Sequence, residues 1–572
     1  NFKVTEFRFF RKDILVAVLL LRVVKIYFFL LDFGLKLVGV ALWVHDLAQD
    51  WQYHQKNKKG HFLDLRKWPL DGVKVIDDHH LRITLKGEYP QFLAWLTMGF
   101  FSPVPWEGDA FYSQPGMSAR NLTFDWFPIG TGPYQLAEHN PNLRMTLKRN
   151  PNYRLDYYPN EGSPGDAEKG YLKAAGRQVP MLDQLTMTLE KESIPRWGKF
   201  LQGYYDASLV TGDNFDQAIH LNDKGEAQLS DDMKKQNIRL EVSVQPVVYY
   251  LAFNWLDPVV GGLDLSKRKL RQAIAIAINF DEYIQIFLSG QGRQGRGLIP
   301  PGIFGFRSMD KGLNPVLYRE IHGKAERRSI EEAKQLLTAA GYPKGIDPKT
   351  GKPLRLQFDM AATGPTANAY FAWINKQFQQ LGIDVQVRNT QYNRYQEKIR
   401  QGDCQIFLSN WMGDYPDPEN FLFLLYGPNS IKLHGGVNVV NYQNKAYDRL
   451  FVKMKVTPDG PERQALIDQM RAIVYQDTPV VVSYYPTHMK LVHDWSMSAK
   501  SNALMSGYVK YYDLNPRKRW QSQNKWNKPN KTIVWSVLGV LLAGIVASLL
   551  LIRRQSRAKV MCRFDESEKG GV

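Results

Sequence analysis

From Val73 onward the apolar residues of this chain fall into two periods, and the switches between them mark out successive elements. Val73–Ile76 and Leu81–Leu85 alternate apolar with polar residues on either side of Asp77–His80, which predicts a β-hairpin. Tyr89–Trp106 reads as a short aromatic helix and a proline-rich loop, and Gln135–Ala137 with Arg144–Leu147 as a second pair of strands. Val247–Asn254, VVYYLAFN, is a continuous run of β-branched and aromatic residues, the pattern of a buried strand. Lys269–Gly290 has helical spacing interrupted at Asn279-Phe280-Asp281, which predicts two consecutive helices.

The periods then alternate. Ser329–Ala340 is a helix with Ser329 and Glu332 at capping-box spacing and Gly341 as its stop. Strand Leu354–Phe358, helix Thr366–Leu381 ended by Gly382, strand Ile383–Arg388, helix Tyr392–Gln401 and strand Cys404–Ser409 follow. Helices Asn441–Lys455 and Pro461–Asp477 and strand Val480–Tyr485 close the series. Strands separated by crossover helices predict an α/β architecture with a largely parallel sheet. A chain of 572 residues exceeds what one core fills, so two or more lobes are expected.

Thr532–Ile552 breaks this pattern: 21 residues carry no charge between Lys531 and Arg553. That length crosses about 30 Å of hydrocarbon as a helix. The polar tail 553–572 is too short to pack around it as a domain, so a transmembrane helix and not a core helix is expected. Arg517, Lys518, Arg519, Lys525, Lys528 and Lys531 precede the run, and Arg553, Arg554, Arg557 and Lys559 follow it, so charge counting does not orient it. Asn515–Lys531 itself reads as a basic, Trp-bearing linker. Near the other end, the apolar stretch Ile14–Val44 is interrupted by Arg22, Lys25, Asp32 and Lys36; it has neither the length of a span nor the core of a signal peptide.

The net charge of +18 raises nucleic acid as a partner, but the basic residues are scattered among carboxylates and no zinc-finger spacing or RNA-recognition signature accompanies them. No nucleic-acid partner is expected. Cys404 and Cys562 lie on opposite sides of the apolar run, so no disulfide joins them, and Cys404 reads as a small buried hydrophobe. His79 and His80, as neighbours in an extended turn, point to opposite faces and make a poor metal pair. Gly290-Gln-Gly292-Arg-Gln-Gly295 fits a dinucleotide pattern but follows a helix and precedes LIPPG, where the phosphate site needs a strand before and a helix after. Neither G-x-S-x-G nor H-E-x-x-H occurs. No catalytic residue, metal or cofactor is assigned.

The most specific stretch follows the strand at 404–409: Asn410–Phe421, NWMGDYPDPENF. With it come Gly130-Thr131-Gly132-Pro133-Tyr134, a hairpin and Arg149-Asn150-Pro151-Asn152-Tyr153; then VVYYLAFN, the KLRQAIAIAINF helix and Ile299-Pro300-Pro301-Gly302. In this order these motifs resemble the extracytoplasmic solute-binding proteins of ABC importers, family 5, the oligopeptide/dipeptide-binding type. The resemblance runs from about residue 62 to 515. It implies a two-lobed periplasmic binding protein of the type II, Venus-flytrap kind with mixed sheets, to which the apolar run adds one C-terminal transmembrane helix. Residues 1–61 are then atypical, 62–245 partial lobe I, 246–485 lobe II, 486–515 the return to lobe I, 516–531 a linker, 532–552 the span and 553–572 a tail. Because the family has a long first segment of lobe I before the matched region, the natural product is expected to begin upstream.

The resemblance also implies a site. Asp414 would grip a ligand's α-ammonium group, with Trp411, Gly413, Tyr415, Tyr250 and Asn254 around it. The residues alone leave alternatives open: Asp414 can cap the DYPDP turn, Trp411 can be core or pocket wall, and Asp417 before Pro418 suits a cap. Oligopeptide-binding relatives have an arginine six residues before the aspartate, where this chain has Leu408; Arg394 and Arg400 are the nearby cations. The implied partners are a peptide ligand, ABC permease subunits with a cytoplasmic ATPase, and lipid around residues 532–552, on the periplasmic side of the bacterial inner membrane. A membrane-anchored sensor or scaffold, or import of haem, nickel or a sugar, is the alternative within the same fold.

Overall fold

The computed structural model describes residues 4–8, 64 and 70–568, apart from the short segments 223–226, 309–311, 323, 363–365, 498–499, 501–503, 505–507 and 529–530. The stretch Ile14–Val44 therefore lies outside the described residues. The hairpin β1 (Val73–Asp77) and β2 (His80–Thr84) leads to the aromatic helix α1 (Phe92–Leu96). Its turn is held by the Asp77 carboxylate, which accepts from the His79 N–H at 2.8 Å and contacts the His80 ring at 2.7 Å.

β3 (Tyr134–Asn140), β4 (Arg144–Arg149) and β5 (Gln184–Thr188) form an antiparallel sheet of lobe I. The two glycine- and proline-bearing motifs that flank its first hairpin are stitched together by one side chain. Asn150 donates to the Gly132 carbonyl at 2.8 Å and accepts from Gln135 Nε2 at 3.1 Å, while its backbone N–H reaches the Pro133 carbonyl at 2.9 Å. GTGPY and RNPNY are thus one architectural corner.

The chain continues through α2 (Ser193–Leu201), β6 (Ala207–Leu209) and β7 (Arg239–Val244) to β8 (Val247–Phe253). Then come α3 (Leu265–Ala277), α4 (Phe280–Leu288), α5 (Ile330–Ala339), β9 (Arg355–Met360), α6 (Thr366–Gln379), β10 (Asp384–Asn389), α7 (Tyr392–Gln401) and β11 (Ile406–Met412). α8 (Lys445–Met454), α9 (Pro461–Asp477) and β12 (Val480–Val492) complete the lobes. Local chemistry sets these bounds. Asn279 restarts the chain as α4 by accepting from the N–H groups of Asp281 and Glu282. Ser329 and Glu332 make both bonds of a capping box on α5, and Gly402 ends α7 in the left-handed region at φ 71°.

The central sheet has the strand order β7–β12–β8–β11–β9–β10. β9 is parallel to β10 and β11, as crossover helices require, but β8 is antiparallel to both β11 and β12. The sheet is therefore mixed. The expected parallel arrangement holds only for β9, β10 and β11, because β8 enters directly from lobe I instead of through a crossover. Alternate residues of β8 feed the two cores: Leu251 and Phe253 pack beneath α3, α5 and α6, while Val248, Tyr250 and Ala252 pack toward α7, α8 and α9. Cys404 lies 2% exposed in the second core, and burial pushes its thiol up to about 12.

Two adjacent segments lie at the expected crossings between the lobes. One is Gln245–Pro246, between β7 and β8. The other lies within β12, which pairs with β8 through Val480–Tyr484 and with β7 through Thr487–Val492. The Gln245 N–H donates to the Pro486 carbonyl at 3.1 Å, so the crossings are bonded to each other.

After β12 the expected linker is in part a helix, α10 (Pro516–Trp526), started by Asn515, whose side chain accepts from the Lys518 N–H. α11 (Lys531–Glu568) follows, and its stretch Val534–Arg557 is long and apolar enough to cross a membrane, with none of its most apolar window buried by protein.

Candidate ligand cleft

β11 carries the motif to the edge of lobe II. Its carboxyl end, Met412, pairs with Val247 at the start of β8, so Gly413–Pro418 emerges beside the crossing between the lobes. The Gly413 N–H donates to the Pro246 carbonyl at 2.8 Å. A Cβ on Gly413 would meet the Phe421 ring at 2.8 Å, which makes glycine a requirement of this close approach.

The turn is organised by Asn420, which is fully buried. Its side-chain oxygen accepts the Asp414 N–H at 2.8 Å and the Trp411 indole N–H at 3.2 Å. Trp411 also meets Phe423 edge-on at 5.1 Å, so its ring is half-buried against the lobe II core. Asp414 is half-buried, and among the described residues its carboxylate has no cation within 4.0 Å. Burial pushes its pKa above the ordinary carboxylate value, with the Asn420 amide offsetting part of the rise.

Asp417 behaves differently. Its carboxylate accepts the Glu419 N–H at 2.8 Å and takes both guanidinium nitrogens of the buried Arg463 at 2.8 Å. It is a cap and one half of a bidentate ion pair.

Next to the turn lies a cavity of about 490 Å³ between the lobes, within the range of small-ligand sites. Lobe II supplies Pro301, Gly302, Ile303 and Pro416; lobe I supplies Tyr158, Glu161, Asp166, Tyr171 and the segment of Lys500, Leu504, Tyr508 and Tyr511; Val244 and Pro246 of the crossing floor it. Leu504 would stand 3.5 Å from a Cβ on Gly413, which ties the cavity wall to the motif. Lys500 is the one cation among the described lining residues, and it pairs with Asp166 at 2.8 Å.

The six residues expected at the site are thus distributed unequally. Gly413 and Asp414 sit at the turn next to Pro416, which lines the cavity, but neither they nor Trp411, which braces the turn, are among its described lining residues. Tyr415 is 1% exposed; its hydroxyl donates to Glu419 at 3.2 Å and its ring meets Trp95 at 5.8 Å, so it packs the hairpin–helix unit onto the turn. Tyr250 is 2% exposed in the lobe II core, where burial pushes its hydroxyl up to about 12. Asn254 lies beyond the far end of β8, because β8 and β11 run antiparallel and Phe253 pairs with Ile406, the first residue of β11. Its amide donates to the Gly402 and Cys404 carbonyls at 2.9 Å and accepts from Leu256 and Asn441, so Asn254 is a structural brace and is removed from the candidate site. Arg394 and Arg400 lie exposed on α7 and do not line the cavity.

The tyrosine wall was missed from the sequence, since it comes from irregular segments without hydrophobic periodicity. The clustering of Tyr153, Tyr157 and Tyr158, and of Tyr508, Tyr511 and Tyr512, is the signal that marks it.

Comparison with known proteins decides the family. The model of the bacterial extracellular solute-binding proteins, family 5 (Middle), matches residues 39–432. This chain belongs to that family. The family 5 match begins ahead of the boundary near His61 at which the motifs become readable. Heme-binding protein A of Haemophilus influenzae is 24% identical over 433 residues, covering 75% of this chain and 67% of the relative. The dipeptide-binding protein of Escherichia coli is 24% identical over 422 residues, covering 73% and 66%. The chain thus spans about two thirds of the length of the curated relatives it matches. Among solved structures, the periplasmic binding protein DppA of Helicobacter pylori in complex with the peptide STSA superposes with a TM-score of 0.59 at 22% identity, covering 78% of this chain and 74% of that one. AppA of Bacillus subtilis with a nonapeptide gives 0.57 at 16%, covering 78% of each chain. At these identities the superpositions establish the fold: two lobes of the periplasmic peptide-binding type. The family is one of solute-binding proteins and not of enzymes.

Proposed function

We propose that this family 5 protein is the substrate-binding component of an ABC importer. It captures peptides outside the cytoplasmic membrane and hands them to permease subunits driven by a cytoplasmic ATPase. Val534–Arg557 serves as a single-pass anchor that keeps the lobes on the periplasmic side and concentrates them near the permease.

The observation that carries this reading is the Asp414 carboxylate: half-buried, with no cation within 4.0 Å among the described residues, and held by its own backbone at the end of β11, close in the chain to Pro416 of the cavity wall. A carboxylate taken out of water is costly unless a partner replaces the lost hydration. An α-ammonium group supplies a charge and three donors in one small headgroup. The ligand then completes what the protein leaves open. The tyrosines of lobe I offer apolar faces and hydroxyls to an extended chain, and among its described residues the cavity lining holds no arginine to select a terminal carboxylate.

Mass spectrometry of ligands released from the natively purified protein tests this directly. Short peptides with free amino termini are the expected result. Release of a nickel complex, a sugar or a molecule with the Soret band of haem would overturn the peptide assignment.

A further inference from the structure

Helix α10 separates the lobes from the apolar helix, and its two faces have different work. One face is docked on lobe I. Gln523 donates to the Gly203 carbonyl at 2.7 Å and Asn527 to the Gln202 carbonyl at 2.9 Å. Trp526 packs at 5.4 Å on both His493 and Trp495, and Gly203, at φ 77°, leaves the room these rings need. Lys518 pairs with Asp494 at 2.6 Å and Arg519 with Asp206 at 3.1 Å. These contacts tie α10 to the lobe as a fixed part of it.

The opposite face is open. Arg517, Trp520, Gln521 and Asn524 follow at helical spacing on that side, with Lys525 at its margin, and Trp520 is 66% exposed. Residues 515–531 contain six basic and no acidic residues. Arg517, Lys525, Lys528 and Lys531 have no carboxylate within 4.0 Å among the described residues. Five residue steps separate Trp526 from Lys531, so the end of α10 lies within about 18 Å of the start of α11 whatever path the connection takes. That tether is longer than the roughly 5–8 Å depth of one headgroup layer, so it lets α10 reach the headgroups. Exposed tryptophan beside arginine and lysine is the composition that suits this layer, and its positive charge complements anionic phosphate.

We propose that the outward face of α10 lies on the anionic headgroups of the bilayer and fixes lobe I against the membrane. The anchor then holds one lobe only. Lobe II is left to swing about Gln245–Pro246 and Pro486, and the mouth of the cleft acquires a set orientation toward the bilayer. The proposal rests on α11 spanning the membrane.

The full chain, with Cys562→Ser and Gln521→Cys labelled by an environment-sensitive fluorophore, is reconstituted into vesicles of phosphatidylcholine alone or with one quarter phosphatidylglycerol. Co-flotation after an alkaline wash reports insertion of α11. A blue shift of emission in the phosphatidylglycerol vesicles, reversed by high salt and abolished by Arg517→Glu/Lys525→Glu with peptide binding intact, is expected. A chain that fails to co-float refutes the anchor and this proposal with it. A chain that co-floats but whose probe gives the same emission in both vesicles, or ignores the double substitution, refutes this proposal and leaves the anchor standing.

Discussion

Asp414 is held to Asn420 by its backbone. Its N–H donates to the Asn420 side-chain oxygen at 2.8 Å, while its carboxylate finds no cation among the described residues. The turn fixes where the carboxylate stands and leaves open what it meets.

Asn420→Ala tests the first half of that relationship. The substitution strips an acceptor from the Asp414 N–H and the Trp411 indole at once. The unfolding free energy should fall by about 2 kcal/mol, the cost of leaving buried donors unsatisfied. Urea unfolding measures the loss, and calorimetry should show weaker peptide binding although Asn420 is buried behind the turn.

The pH dependence tests the second half. The Asp414 pKa in the folded, ligand-free protein stands above its unfolded value because burial disfavours the charged form. Folded protein therefore holds this proton more tightly than unfolded protein, and stability is lost as pH rises from the unfolded pKa through the raised folded one. Asp414→Asn should accordingly raise Tm at pH 7 and leave it unchanged near pH 3, where both states carry the proton. Affinity for an ammonium ligand should fall as pH drops through the raised value.

Asp417 gives the opposite result from Asp414. Its bidentate contact with buried Arg463 is a structural pair, and its oxygen also holds the Glu419 N–H. Asp417→Ala should cost about 3 kcal/mol of stability by leaving a buried guanidinium short of its partner. Discrimination between free-amine and acetylated peptides should survive in the protein that folds.

Gly413→Ala places a methyl group 2.8 Å from the Phe421 ring, close to the Gly413–Pro246 hydrogen bond. Overpacking of this kind costs about 1–3 kcal/mol. A fall in Tm with a slowed peptide association rate, measured by stopped flow, is expected because the strained turn adjoins the crossing.

Much of lobe II was legible because its signals are local. Ser329 and Glu332 announce α5, Asn279 separates α3 from α4, and α7 and α9 keep the bounds that their periodicity gives them. The direction of β8 was not legible, because a buried strand has the same residues whichever way its neighbours run. Asp417 as a cap followed from Pro418; its partner Arg463, 46 residues away, had no local mark. The position of Asn254 was not legible for the same reason: its place at the end of a conspicuous strand says nothing about which end lies near the cavity. The linker Asn515–Lys531 concealed α10 because the docking face is polar and tryptophan-bearing, and the helix is held by Gly203, Asp206 and Asp494, all distant in sequence.

Calorimetric titration of the wild-type chain and Asp414→Asn with one peptide, as the free amine and as its amino-acetylated form, tests the capture of an α-ammonium group most directly. The wild type should prefer the free amine by tenfold or more, about 1.4 kcal/mol, and the substitution should erase that preference. Equal affinity of the wild type for the two forms, or equal losses for both on substitution, would contradict the account and leave Asp414 as a turn residue.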